Sequence, residues 1–244
     1  MPIKVGERMR KLTILHEDED ILVCIKPMGV PSQSDKTRDP DMVTLVKKYL
    51  FDKGETKEEP YVGLVHRLDR PVGGIMVFAR NQEAAADLSV QMLDGVFDKY
   101  YQAVLTGEMD AEEGVMKDFL LRDGRTNTSK VVPKGVKGAK KAELEYEVLD
   151  VIETEEGIFS YVLIHLLTGR HHQIRVQCAS RGVGIYGDTK YNPLFQNVKR
   201  AYKQIGLYST RIEFEHPATG ERMVFKAEPA GEAFDMIFDA EELF

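Results

Sequence analysis

A succession of strand-like segments in the middle of the chain constrains the fold more than any other feature. Five such segments follow one another between Lys99 and Leu166 and are joined by turns that contain glycine. They span residues 99–105, 116–121, 129–133, 142–151 and 158–166. Strands that follow one another directly pair as antiparallel neighbours, whereas parallel neighbours need a crossover connection. The sequence therefore predicts an α+β fold with a mixed, mostly antiparallel β-sheet flanked by helices, rather than a doubly wound parallel sheet.

The rest of the chain supplies further strands and a few helices. Strands are predicted over residues 12–16, 21–26, 73–79, 205–214 and 222–226. Helices are predicted over residues 42–51 with Asp41 as N-cap, from Asn81 to about Leu93, and over residues 171–181 before Gly182. The second helix should have Ala85, Leu88 and Met92 on its inner side.

No break in composition marks a domain boundary, so one domain is predicted over residues 1–244. Its core should cover about residues 12–228, and the acidic tail, residues 231–244, predicts a small amphipathic helix.

The composition is that of an ordinary globular protein. Of the 244 residues, 43% are hydrophobic and 30% are charged. The amino-terminal residues lack the apolar segment of a signal peptide, and no run is long enough to predict a membrane span. Cys24 and Cys178 form no metal-binding pair and fit a reducing compartment. We therefore expect a cytoplasmic protein with no membrane partner and no metal.

The charges are unevenly distributed along the chain. Eight Lys and Arg against two Asp give residues 117–141 a net charge of +6, which leaves −13 on the remainder of a chain whose total is −7. A localised basic face on an acidic body attracts a polyanion. The alternative is a solvated hairpin with ordinary surface lysines.

A single carboxylate between two arginines is the first chemically distinctive motif. Residues 66–70 read HRLDR and lie between apolar segments. Burial of a lone carboxylate is costly, but an opposite charge nearby lowers an Asp pKa by about 1–3 units. We interpret Asp69, flanked by Arg67 and Arg70, as a nucleophile or base that stays ionised; the alternative is a structural ion pair at a strand end. In a kinase catalytic loop the Asp follows the Arg directly, and Leu68 separates them here.

A second polar cluster occupies residues 166–175, which read LLTGRHHQIR. If His171 begins a helix, His171 and Arg175 lie one turn apart on one face, and the free N–H groups of a helix start attract phosphate. Three alternatives compete: metal ligation by His165, His171 and His172, arginines that only cap carbonyl groups, and plain surface histidines. The histidine spacing matches no metal motif.

Together these segments resemble the RluA-type pseudouridine synthase family. The motifs that carry the resemblance occur in family order and span about residues 12–228. They are IKPMGVPS at 25–32, HRLDR at 66–70, KYYQAV at 99–104, LTGRHHQIR at 167–175, GDTKY at 187–191 and FEHP at 214–217.

The chain departs from the family pattern at three places. Residues 71–74 read PVGG where DTSG is commonest, residues 207–209 read LYS in place of LHA, and His171 replaces a Thr or Ser. None of these changes removes a catalytic group. Many relatives carry an amino-terminal RNA-binding domain, and we expect none here because the catalytic part begins by about Leu12.

The resemblance implies the pseudouridine synthase fold with a central RNA-binding cleft. It also implies isomerisation of uridine to pseudouridine in structured RNA, ribosomal or transfer, by a monomer that needs no cofactor. Asp69 resembles the essential carboxylate, and Arg175 its basic partner. Tyr101 resembles the aromatic residue that packs on the flipped uracil, with Ile174 on the opposite side. Arg67 is expected to fill the space that the base vacates or to hold a displaced phosphate.

Further candidates for RNA contact are polar side chains in these motifs. They are Arg70, Arg170, His172, Gln173 and Lys26. For Lys26 a phosphate contact competes with a plain surface lysine at a strand end. The basic segment 117–141 is expected to act as an arm that grips phosphates rather than bases.

Two other functions are compatible with the motifs. A non-catalytic RNA-binding protein that keeps the fold would bind RNA without isomerisation, although binding alone needs no buried carboxylate. A hydrolase that uses Asp69 with the histidines would release a free base or depend on a metal.

Overall fold

A computed structural model describes residues 12–37, 39–54, 58–197 and 204–241. The strands are β1 (Thr13–Glu17), β2 (Ile21–Lys26), β3 (Gly63–Leu64), β4 (Gly73–Ala79), β5 (Asp98–Thr106), β6 (Glu113–Asp123), β7 (Thr128–Val132), β8 (Lys140–Thr154), β9 (Gly157–His165), β10 (Leu207–Glu215) and β11 (Arg222–Lys226). The helices are α1 (Met42–Asp52), α2 (Gln82–Asp94), α3 (Gln173–Ala179) and α4 (Glu232–Glu241). None of the helices in these ranges is long and apolar enough to cross a membrane.

The described strands form one sheet, in the order β1-β2-β4-β10-β5-β9-β8-β6-β7, with β3 paired to β4 and β11 to β10. Every paired strand is antiparallel to its neighbour except β4 and β10, which run parallel through a short register at Gly73 and Gly74. The prediction of a mixed, mostly antiparallel sheet is therefore confirmed. β4 has the predicted bounds, and all seven of its residues are buried.

Side chains of the central strands divide between the two faces of the sheet. On one face, Tyr101 of β5 and Ile174 of α3 belong to a large apolar cluster that also receives α1. On the other face, Ile75 and Val77 of β4 belong to a second cluster covered by Leu88 of α2. The first face is the one that carries the site.

The first two helices begin where their caps were predicted. The Asp41 carboxylate accepts from the Thr44 N–H, and the Asn81 amide oxygen accepts from the Ala84 N–H. The buried face of α2 is formed by Ala84, Leu88 and Gln91, whereas the predicted Ala85 and Met92 are only half-buried. Ala85 and Met92 nevertheless pack against the second cluster, which confirms the predicted inner side of the helix. The Gln91 amide joins this side through two hydrogen bonds to the backbone of residue 215.

The third helix is shorter than predicted. It begins at Gln173 because His172 takes a left-handed conformation with φ 55°. The Gln173 side-chain oxygen accepts from the Arg170 N–H and the Thr168 hydroxyl, which holds the preceding residues in a tight turn. His171 therefore lies outside the helix, and the prediction that it shares a helical face with Arg175 was wrong. The helix predicted in the tail is α4, while residues 242–244 lie outside the described ranges.

Candidate active site

Asp69 lies in the connection between β3 and β4, and the segment on either side of it is fixed by the protein. The Ser32 hydroxyl donates to the Leu68 carbonyl at 2.8 Å and accepts from the Leu68 N–H at 3.1 Å. The Val72 N–H donates to the Asp69 carbonyl at 3.0 Å. The KPMGVPS motif therefore supports the HRLDR motif directly.

Lys26 stabilises the same region through hydrogen bonds to backbone carbonyl groups and is not a surface residue. Its side chain is 0% exposed, and its ammonium donates to the carbonyl oxygens of Pro27, Val30 and Arg70 at 3.0, 2.6 and 3.2 Å. Burial lowers the pKa of Lys26 to about 7 against the opposing charge of Asp69. Because all three donors are engaged, both predictions for Lys26, a phosphate contact and a surface lysine, were wrong.

The partner of Asp69 is Arg175. One Arg175 guanidinium nitrogen donates to the Asp69 carboxylate at 2.9 Å, while two others donate to the two oxygens of Asp188 at 2.7 and 2.8 Å. Asp188 is 0% exposed, whereas the Asp69 side chain is 28% exposed. The buried Arg175 is thus held by the fully buried Asp188 carboxylate. Its remaining nitrogen donates to the accessible Asp69 carboxylate.

The pKa of Asp69 lies below its ordinary value. Burial raises it, but His172 and Arg175 together lower it further than burial raises it. Burial lowers the pKa of His172 to about 3, so this imidazole is neutral at pH 7. The Arg175 guanidinium is therefore the charge that keeps Asp69 ionised near neutral pH.

The arginines adjacent to Asp69 do not perform this role. Arg70 turns away, donating to the Gly29 carbonyl at 3.0 Å and pairing with Asp39. Arg67 is exposed, and the part of the chain that the structure describes offers it no hydrogen bond. The prediction that these two guanidinium groups ring the carboxylate was wrong, because neighbours along a chain point to different sides while a residue distant in sequence approaches from another element.

Two histidines and a tyrosine form the wall beside Asp69. His172 Nε2 lies 3.6 Å from the Asp69 carboxylate, and His172 Nδ1 lies 2.7 Å from the Tyr191 hydroxyl. That hydroxyl accepts from the Ser129 N–H at 2.8 Å. The Tyr191 proton is then free to donate to Nδ1, which assigns the His172 proton to Nε2, the nitrogen that faces Asp69. The Arg175 guanidinium lies 5.2 Å from the Tyr191 ring centroid.

His171 connects this wall to the turn between β6 and β7. Its ring stacks on His172 with centroids 3.7 Å apart. Its nitrogens lie 2.9 Å from the Ser129 hydroxyl and 3.1 Å from the Asn127 side-chain oxygen. Lys190 donates to the Asn127 carbonyl at 3.0 Å. The basic segment 117–141, a hairpin, is therefore joined by hydrogen bonds to His171, which stacks on the histidine beside Asp69.

Tyr101 and Ile174 are both buried in the apolar cluster beside the carboxylate. Burial, with a further contribution from the charge of Asp69, raises the pKa of the Tyr101 phenol. Tyr101 is therefore a neutral phenol that lies within electrostatic reach of Asp69. The structure thus brings Asp69, Tyr101, Ile174, Arg175 and His172 to one place.

The other members of the second polar cluster serve the local fold. The Gln173 amide is buried and, besides the two bonds to its oxygen, donates to the Glu143 carbonyl at 3.1 Å. Arg170 is exposed and donates through Nε to the Lys141 carbonyl at 2.8 Å. His165 pairs with Asp98 and Glu145, so the three histidines do not converge on a metal.

One other cluster has the residue types of a metal site. Asp18, Asp20 and His216 bring ligand atoms within 4.8 Å of one another. His216 Nδ1 accepts from the N–H groups of Ala218 and Thr219, so its proton is on Nε2, which lies 3.0 Å from the Asp18 carboxylate. A nitrogen that carries this proton is not a metal ligand. We read the group as a hydrogen-bonded tie between two turns.

Asp188 and Tyr191 contact the site but have no role predicted from the sequence. Both belong to the GDTKY motif, which entered only as part of the resemblance. A buried aspartate in a turn motif was the available signal, but its partner became visible only when α3 was placed beside it.

Comparisons with known proteins point to one family. Residues 20–180 match the family model described as RNA pseudouridylate synthase. The chain is 32% identical over 228 residues to an uncharacterized RNA pseudouridine synthase of Mycoplasma pneumoniae, covering 93% of this chain and 70% of that one. It is 31% identical over 227 residues to ribosomal large subunit pseudouridine synthase D of Neisseria meningitidis, covering 88% of this chain and 58% of that one.

A solved structure shows the same fold. Human RNA pseudouridylate synthase domain containing 1 superposes with a TM-score of 0.72 at 21% identity over 98% of both chains. The family model and the named relatives define an RNA-modifying isomerase. This chain belongs to the RNA pseudouridylate synthase family, and the predicted RluA-type membership is confirmed.

Proposed function

We propose that the chain isomerises specific uridines of structured RNA with Asp69 as its essential carboxylate. The observation that carries this proposal is the buried Arg175 guanidinium, clamped by Asp188 and donating to the accessible Asp69. A carboxylate that only stabilised the fold would gain nothing from being partly exposed. An ionised carboxylate held at an open position is ready to meet a substrate atom.

The reaction conserves every atom of the nucleotide. The bond between uracil N1 and the ribose anomeric carbon breaks, the base rotates, and carbon 5 bonds to the same anomeric carbon. The proton on carbon 5 is lost and N1 gains one, so no oxidant or reductant is consumed, and we propose that no cofactor or metal takes part. Asp69 either attacks the anomeric carbon or removes a neighbouring sugar proton.

The surrounding residues have separate roles in this proposal. The target uridine leaves its stack, which costs a few kcal/mol, and Arg67 fills the vacated space or holds the displaced phosphate. Tyr101 and Ile174 sandwich the uracil, and the neutral Tyr101 phenol is suited to a late proton transfer. Arg175 keeps Asp69 ionised and oriented. His172 sets the wall beside Asp69.

The RNA contacts outside the pocket come from the basic hairpin. Residues 117–141 carry the net charge of +6, and their turn approaches the site through Asn127 and Ser129. We propose that this hairpin and Arg170 bind phosphates of a ribosomal or transfer RNA stem-loop. The enzyme acts as a monomeric single domain in the cytoplasm.

The decisive test replaces Asp69 with Asn and measures pseudouridine formation and RNA binding together. Asp69→Asn keeps the size of the side chain and removes its charge, so binding should persist while product formation is lost. Asp94→Asn, at the exposed end of α2, is the matched control and should retain activity. Product formation by Asp69→Asn near the rate of the unmodified protein would refute the assignment.

Tyr101→Phe separates the two roles of the tyrosine. Loss of rate with unchanged RNA affinity would identify the hydroxyl as a proton carrier, whereas an unchanged rate would leave the ring as a stacking surface. RNA affinity without product in the unmodified protein would instead favour the non-catalytic RNA-binding function. Release of free uracil, or loss of activity in a chelator, would favour the hydrolase.

A further inference from the structure

Lys99 is a cation on the site face of the sheet without a partner in the described structure. It lies two residues before Tyr101 in β5, so both side chains project from the same side of the strand. Tyr101, Ala103 and Leu105 on that side all belong to the apolar cluster that contains Ile174. Lys99 therefore shares its side of β5 with Tyr101.

Burial lowers the pKa of Lys99, and the charge of Asp98 opposes that shift. The other lysines near the site are satisfied: Lys26 donates to three carbonyl groups, and Lys117 and Lys141 pair with Glu143. Across the described ranges, the Lys99 ammonium has neither a hydrogen bond nor an ion pair, and it is not enclosed. A half-desolvated ammonium without a hydrogen-bond or ion-pair partner is stabilised by an anion supplied from outside the chain.

The surroundings of this ammonium are suited to an anion. A Cβ added at Gly169 would lie 3.7 Å from Lys99 Nζ, so the exposed turn after β9 passes directly over the cation. The neighbouring Arg170 uses its Nε for the Lys141 carbonyl and has no carboxylate partner among the described residues. The buried His66 accepts from the Val77 N–H through Nε2, which leaves a proton on an unpartnered Nδ1. The charge of Lys99 contributes, after burial, to lowering the pKa of His66 to about 3.

We propose that Lys99, together with the Gly169–Arg170 turn, forms a phosphate-binding subsite for the RNA strand that carries the target nucleotide. The Lys99 ammonium donates to a phosphate oxygen, and the absent side chain at Gly169 lets that phosphate approach. Because Lys99 and Tyr101 share one side of β5, the bound phosphate fixes the strand next to the base that Tyr101 receives. This proposal rests on the proposed function, since it takes RNA as the ligand.

The test measures RNA affinity over a series of salt concentrations for the full chain and for Lys99→Met. Loss of one phosphate contact should reduce the slope of log K against log salt by about 0.7–0.9. Affinity should fall about tenfold at low salt, as expected for one charge-assisted hydrogen bond. Lys99→Arg, which restores the charge, should recover most of the slope. Lys226→Met, an exposed lysine on β11, is the control and should leave the slope unchanged.

Two results would overturn the subsite. One is a slope for Lys99→Met equal to that of the unmodified protein, and the other is an equal loss of slope for Lys226→Met. A urea unfolding curve for Lys99→Met checks that the variant is folded, and Lys99→Gln, which also removes the charge, replaces it in the slope measurement if it is not. Failure of the catalytic proposal is separate, because an unmodified protein that binds RNA but forms no pseudouridine still yields both salt slopes.

Discussion

Replacement of Asp188 by Asn should damage both stability and activity, although Asp188 is closed to substrate. Asp188 accepts two charge-assisted hydrogen bonds from Arg175 and one from the Lys190 N–H at 3.0 Å. An amide in this place turns one acceptor into a donor that faces a guanidinium. Arg175 then loses half of its clamp inside a region where it is only 5% exposed.

The magnitude follows from the burial of the pair. Removal of one partner from a buried ion pair costs about 3–5 kcal/mol, and the lower end applies because Arg175 retains Asp69. For a domain of this size about 3 kcal/mol corresponds to a fall of roughly 6–12 °C in Tm. Asp69→Asn should cost ~1 kcal/mol or less, since that carboxylate is partly exposed and Asp188 still compensates the arginine. The more reactive carboxylate thus contributes less to stability.

The assay compares urea unfolding, single-turnover pseudouridine formation and the pH profile of the rate. A less firmly held Arg175 should lower the rate about 10²-fold, as expected for misplacement of a catalytic group. The acid limb of the profile should move to lower pH, because removal of the Asp188 charge leaves the guanidinium charge to Asp69 alone, which lowers the pKa of Asp69 further. A purely structural Asp188 would leave the acid limb in place. Stability within about 1 kcal/mol of the unmodified protein, or an unshifted limb, would refute the reasoning.

Two further predictions concern the scaffold. Gly74→Ala should destabilise the chain by about 3 kcal/mol or more, measured by urea unfolding, because φ is +117° and a Cβ would meet the Ser209 backbone at 2.3 Å; near-native stability would contradict the close approach of β4 and β10. Asp18→Asn should cost ~1 kcal/mol at pH 7. Burial raises the pKa of Asp18, but hydrogen bonds, led by that of His16, lower it to about 2. The contribution of Asp18 to the free energy of unfolding is therefore present above about pH 4 and is lost as pH falls toward 2. The unfolding free energies of the unmodified protein and Asp18→Asn, measured across pH 2–7, should therefore converge at the acid end. A constant difference would contradict the hydrogen-bonding role of Asp18.

The parts of the fold that the sequence predicts well depend on local signals. The predicted and observed bounds of β4 agree because a continuous apolar run is bounded by glycines and by a polar residue. α1 and α2 begin at the predicted residues because Asp41 and Asn81 satisfy the first N–H groups through their own side chains. The start of α3 depends instead on Gln173 bonding to the backbone of β8, a contact that no local pattern reveals.

The site shows the same division between local and distant causes. HRLDR identified Asp69, but the arginine that controls its charge is 106 positions away and the apparent neighbours Arg67 and Arg70 point elsewhere. Lys26 was misread because a lysine at a strand end is usually solvated, and only the loop of three carbonyl groups folded around it explains a buried ammonium. A motif therefore identifies the reactive residue more reliably than it identifies the partners of that residue.

The charge balance of the centre explains why its cations are arranged as they are. Asp69 and Asp188 place two negative charges around the single positive charge of Arg175, so the centre carries a net charge of −1 and would repel an approaching phosphate. Arg67 and Lys190 lie close enough for their charges to act on the His171 imidazole beside it. Lys99, in the proposed phosphate subsite, is a third cation. Because these cations are not paired with Asp69, we expect them to attract the RNA backbone while Asp69 stays ionised for the ribose.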